Sequence, residues 1–179
     1  MNDQRLWAPW RLSYITGEAP SEPPLTPEAW QAGASTECFV CRAAASYEDQ
    51  GAADQRNLVV ARTEHALAVL NLYPYNNGHL LVCPLRHVAE LHELTDDEHL
   101  AAMSLLAEYT QRYQRLIKAE GFNVGLNLGR IAGAGVPGHL HWHLVPRWPG
   151  DNNFMPTIAG VRMIPQSLQE LWTLLTNSE

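Results

Sequence analysis

Apolar and polar positions alternate with period two over His139-Leu140-His141-Trp142-His143-Leu144-Val145-Pro146. Such alternation predicts a half-buried strand. It puts Leu140, Trp142 and Leu144 in a core and sets His139, His141 and His143 in one row, with positions two apart about 6.6 Å from each other. Leu58 to Arg62, Ala66 to Leu72 and Gly78 to Leu85 read as three strands rich in Val and Leu, and Phe122 to Leu128 as a fourth. Tyr73-Pro74-Tyr75-Asn76-Asn77-Gly78 is a turn between the second and third. After Thr95 the period becomes helical, because Ala102, Leu106, Tyr109, Tyr113 and Leu116 keep the spacing of one helix face. Thr95 and Glu98 form a capping box at its start, and Gly121 is the expected stop after about Glu120. Leu168, Leu171, Trp172 and Leu175 predict a short closing helix over Ser167 to Leu175. The elements sum to an α+β fold: a mostly antiparallel sheet of about five strands with one long helix and a short C-terminal helix.

Residues 1–27 depart from this pattern. Trp7, Trp10 and Tyr14 form an aromatic arm, and the stretch from Glu18 to Pro27 is a proline-rich linker. The arm reads as packing on the body, or as covering a partner subunit or substrate pocket. Residues 28–179 are expected to form a single domain, a size that suits a chain of 179 residues.

Composition narrows the partners. The net charge of −7 argues against a broad nucleic-acid surface, which needs clustered Lys and Arg. A few backbone amides can still hold one phosphate. No stretch approaches the ~18 apolar residues of a membrane span. The opening Met1 to Trp7 lacks an apolar signal region, so a reducing cytoplasm is expected. There, Cys38-x-x-Cys41 reads as half of a tetrahedral zinc site, with a reduced thiol pair or redox chemistry as the other readings. His65, His79, His92 and His99 read as ordinary turn, core or surface histidines.

Three neutral imidazoles in a row suit a metal, a phosphate, or a nitrogen that attacks phosphorus. The loop Gly129 to Gly138 precedes a strand, not a helix, so it is neither a P-loop nor a dinucleotide fingerprint. Its N–H groups, Gly135 among them, can face a phosphate, although a plain connector fits the same composition.

His139-Leu140-His141-Trp142-His143-Leu144-Val145 matches the signature His-φ-His-φ-His-φ-φ, with φ apolar, at every position. On these residues the chain resembles the histidine-triad (HIT) superfamily of nucleotidyl hydrolases and transferases. The resemblance runs through Asn71, Gly78 to His87, the long helix and Asn127, over roughly residues 37–150. It implies a HIT-like fold and His141 as the nucleophile, forming a nucleotidyl-histidine intermediate. His143 and the glycine loop would then serve the phosphate oxygens. By the same resemblance Asn71 holds the ribose hydroxyls, Asn127 lies by the phosphates, and Trp148 lies by the active site. Read without it, the asparagines are turn or edge residues and Trp148 packs the strand end.

Leu6 to Arg11 and Pro146 to Phe154 resemble the branch that contains diadenosine tetraphosphate phosphorylases. That branch implies an adenine dinucleotide polyphosphate substrate, diadenosine tetraphosphate being favoured, split by phosphorolysis or hydrolysis. Relatives complete a structural zinc site with histidines matching His87 and His139, which adds these two to Cys38 and Cys41. They are commonly homodimers. One departure concerns Ala134-Gly135-Val136-Pro137, which lacks the glutamine or serine often found there and leaves phosphate or water open as acceptor. Two other function classes stay open. One is a hydrolase whose three triad histidines bind a catalytic zinc; the other is a nucleotide-binding module with little turnover.

Overall fold

The Val- and Leu-rich runs pair into one sheet. In the computed structural model, which describes residues 25–151 and 164–177, the strands are β1 (Val59–Arg62), β2 (Ala66–Leu70), β3 (Leu80–Pro84), β4 (Gly121–Leu126) and β5 (Trp142–Arg147). Their order is β1-β2-β3-β5-β4, so the last strand enters between the third and fourth. Every neighbouring pair is antiparallel. Helices α1 (Phe39–Ala44), α2 (Gln50–Arg56), α3 (Asp96–Leu116) and α4 (Leu168–Asn177) surround it, with a 3₁₀ turn at Leu91–Glu93. The aromatic arm, most of the proline-rich linker and Asn152 to Phe154 lie outside the described residues.

Strands β2 and β3 are buried along their whole length, because both faces of the sheet are covered. Alternate side chains divide between two cores. Ala66, Ala68, Leu70, Leu80, Val82, Trp142 and Leu144 pack with Tyr109, Tyr113 and Leu106 of α3 and with Leu171 and Leu175 of α4. Leu67, Val69, Leu81 and Cys83 point the other way, onto Val40, Ala43 and Ala44 of α1. A fully buried leucine such as Leu80 or Leu144 contributes about 1.5–3 kcal/mol. On the face that α1 shares, the register brings Leu81 opposite His143. His79, two before Leu81, belongs to that same face by the strand's alternation.

The structure corrects several boundaries. Strand β5 starts at Trp142, so His139, Leu140 and His141 form an irregular lead-in, with Leu140 N–H bonded to Val88 O at 2.7 Å. The three histidines therefore do not stand in one strand row. Helix α3 ends at Leu116 and not near Glu120, since Lys118 adopts φ +54°. Tyr113 O then accepts from both Ile117 and Ala119 N–H, and Gly121 opens β4 instead of capping the helix. Helices α1 and α2 had no periodic signal at six and seven residues. Arg62 of β1 ties them down through a paired contact with Asp54 and a hydrogen bond to Ala43 O. The capping box is formed as read: Thr95 Oγ1 accepts from Glu98 N–H, and the Glu98 carboxylate accepts from Thr95 N–H at 2.9 Å.

Candidate active site and metal centre

Two clusters meet at the lead-in to β5. The first joins Cys38, at the N-cap of α1, and Cys41 in its first turn to His87, three residues past β3, and to His139. Their ligand atoms all lie within 4.8 Å of one another. His87 Nδ1 to His139 Nδ1 is 3.2 Å, Cys41 Sγ to His87 Nδ1 is 3.2 Å, and Cys38 Sγ to His139 Nδ1 is 3.4 Å. Tetrahedral coordination at zinc bond lengths gives ligand–ligand edges of about 3.3–3.8 Å. The chemistry of the set fits too. His139 donates its Nε2–H to Pro84 O at 3.0 Å, which leaves Nδ1 bare toward the thiols. Burial holds His139 neutral, its pKa lowered to about 4. Burial also pushes the Cys41 thiol up to about 11, partly offset by the N–H of Ser35. A divalent cation is the group that converts such a thiol to thiolate. These four residues could hold one metal ion, away from the remaining histidines.

The second cluster is a relay of hydrogen bonds. His79 Nδ1 accepts from the backbone N–H of Tyr75 at 3.1 Å and lies 3.2 Å from Asn71 Nδ2. Its Nε2 must therefore carry the proton, which it donates to His143 Nδ1 at 2.9 Å. That fixes the proton of His143 on Nε2. The Asn127 carboxamide lies 3.3 Å from this Nε2; two N–H groups cannot face each other, so the amide oxygen takes the inward position. Burial holds both rings neutral, with pKa lowered to about 3 for His79 and to about 4 for His143. His143 thus presents a neutral N–H donor whose tautomer was set by a backbone amide two residues away in the chain of bonds.

His141 sits between the clusters. Its Nδ1 donates to the carbonyl of His139 at 2.8 Å. The lone pair is therefore on Nε2, bare and available. Its ring stands edge-on to His143, with centroids 5.0 Å apart at 71°. An imidazole with a free nitrogen beside a fixed N–H donor can attack an electrophile while its oxygen is bonded by the neighbour.

The expected residues divide accordingly. Cys38, Cys41, His87 and His139 come together, as do His141, His143, Asn71 and Asn127. Gly135 lies in the exposed loop, where an added Cβ would meet nothing within 4 Å. Trp148 directly follows β5. Its indole N–H donates to Ile117 O at 3.0 Å, and its ring packs against the core under α3. His79, read as an ordinary histidine, is the residue the sequence reading missed. The triad does not converge on one ion: among the described residues the metal-capable group takes only His139 of the three.

The model of the HIT domain family matches residues 52–150. A Mycobacterium tuberculosis protein named AP-4-A phosphorylase is 45% identical over 176 residues, 96% of this chain and 82% of that relative. A Schizosaccharomyces pombe bis(5'-nucleosyl)-tetraphosphatase (asymmetrical) is 36% identical, over 52% of this chain and 50% of its own length. Among solved structures, a Zn-bound histidine triad family protein from Mycobacterium smegmatis superposes with a TM-score of 0.55 at 26% identity, covering 66% of this chain and 81% of that one.

Proposed function

The chain belongs to the HIT domain family, and from that premise we propose that it is a nucleotidyl transferase or hydrolase acting on adenine dinucleotide polyphosphates, with diadenosine tetraphosphate as the favoured substrate. The observation that carries the reading is the hydrogen bond from His141 Nδ1 to His139 O, which leaves Nε2 bare. That nitrogen attacks an α-phosphorus, and the P–O bond to the polyphosphate breaks with its electron pair leaving on oxygen. His141 then carries AMP as a phosphoramidate, and ATP departs. An acceptor oxygen attacks the same phosphorus, the P–N bond breaks, and the imidazole is restored. Phosphate as acceptor yields ADP, whereas water yields AMP. The Nε2–H of His143 turns from the Asn127 amide oxygen to the non-bridging oxygens when substrate enters, where negative charge accumulates. Asn127 lies beside that N–H, and Asn71 would hold the ribose hydroxyls. The relative named a phosphorylase and its extent along this chain favour phosphate.

Cys38, Cys41, His87 and His139 would hold zinc as a structural ion that fastens α1 to the lead-in of β5. Thiolate ligands of this kind suit a reducing cytoplasm. The reading extends to a homodimer. Trp172 and Tyr109 occupy the Val59 and Val60 carbonyls of β1, whereas edge strand β4 carries no charged residue to deter pairing.

The test is trapping. The protein is incubated with labelled diadenosine tetraphosphate, quenched, and digested for mass spectrometry. An AMP adduct on His141, absent from His141→Ala, is expected. ADP appearing only with added phosphate would establish the acceptor. Full turnover by His141→Ala would reject the mechanism.

A further inference from the structure

The turn between β2 and β3 keeps an aromatic ring at the rim of the site. Tyr75 is 48% exposed, yet its ring is centred 4.6 Å from that of His79, at 31°, and 5.7 Å from that of His143, at 27°. One phenol ring therefore lies against both imidazoles of the relay. The same residue's N–H already fixes the His79 tautomer. His143 is otherwise met by rings at steeper angles, His79 at 43° and His141 at 71°. Strand pairing fixes the backbone of His143, and the His79 and Asn127 contacts hold its ring by the two nitrogens; packing on the ring face adds to that restraint on a torsion that is broad for an imidazole. A nearly parallel flat neighbour restricts that rotation.

We propose that Tyr75 is a positioning residue: its ring sets the plane of His143 so that the Nε2–H stays aimed at the phosphate oxygens. The inference rests on the nucleotidyl-transfer reading for its kinetic part only. A ring contact of this type corresponds to about a 2- to 10-fold effect on a rate that needs the ring aligned. A leucine fills the space without offering a plane, and a phenylalanine keeps the plane without the hydroxyl.

The experiment compares Tyr75→Ala, Tyr75→Leu and Tyr75→Phe in the full chain. Tyr75→Ala and Tyr75→Leu are expected to lower kcat by about 2- to 10-fold with KM little changed, and Tyr75→Phe to restore it. Imidazole proton and nitrogen NMR of the substrate-free protein supplies a second readout. The Nε2–H signal of His143, sharp in the parent and in Tyr75→Phe, should broaden in the other two. Parent-like kcat and NMR in Tyr75→Ala would overturn the proposal. So would a raised KM at unchanged kcat, which would place the ring on substrate. Absence of an AMP adduct in the parent would defeat the functional reading while leaving the NMR outcome to decide the role of Tyr75.

Discussion

Lowering the pH through the histidine range tests whether His79 and His143 are buried as neutral rings. Burial lowers their pKa values to about 3 and about 4, from an ordinary 6.5. Below pH 6.5 the unfolded chain takes up protons that the folded chain refuses. Stability is therefore full above pH 6.5 and falls as pH drops toward 4 and 3, where the folded rings accept their protons. Between pH 6.5 and 5.5 each ring costs RT ln(11/2), about 1 kcal/mol, so the pair costs about 2 kcal/mol. The assay is urea unfolding followed by tryptophan fluorescence at about pH 7.5, 6.5 and 5.5, with zinc supplied equally. Other histidines contribute the same slope to every variant. His79→Gln should lose about 1 kcal/mol less than the parent over that window, although less stable at neutral pH. An identical slope in parent and variant would refute the relay as a buried neutral pair.

Removing a ligand of the metal cluster should act on stability first. Cys38→Ala is expected to lose bound zinc, measured by elemental analysis, and to melt several degrees lower; equal zinc content would contradict the assignment. Glu98→Ala removes both the Thr95 cap partner and the carboxylate facing Arg86, at a cost of about 1–2 kcal/mol in urea unfolding. Arg86 holds the Glu98 carboxyl down to about 2, so that contribution is present above pH 4.5 and disappears as pH falls toward 2; a flat acid limb would count against it. Gly78→Ala places a Cβ 3.1 Å from Pro146 Cγ and 3.3 Å from Ile117 Cδ1 at φ +74°. It should cost about 1–3 kcal/mol and also slow turnover by displacing His79, with denaturation and kcat measured on one preparation.

The sheet and long helix were legible because their signals are local and repetitive. Ala66 to Leu70 and Leu80 to Pro84 carry β-forming residues bounded by turn chemistry, and Thr95 with Glu98 announces a helix start in four residues. The end of α3 was not legible, because Lys118 has no visible preference for φ +54°; a glycine nearby drew the stop instead. Helices α1 and α2 depend on Arg62 from another element, a tertiary cause that periodicity cannot register. At the site, alternation placed all three triad histidines on one strand, whereas the ladder begins only at Trp142. The missed His79 shows the same limit. A histidine ahead of an apolar strand looks like any core histidine until the register brings His143 alongside it.

His139 has a consequence for anyone who dissects this chemistry by substitution. Its ring faces two thiols and a second imidazole, while its own carbonyl accepts the Nδ1–H of His141. On the proposed mechanism, a defect introduced at that ring would therefore surface as slow nucleotidyl transfer through His141. The scaffold and the reagent share a single residue, and neither can drift without the other.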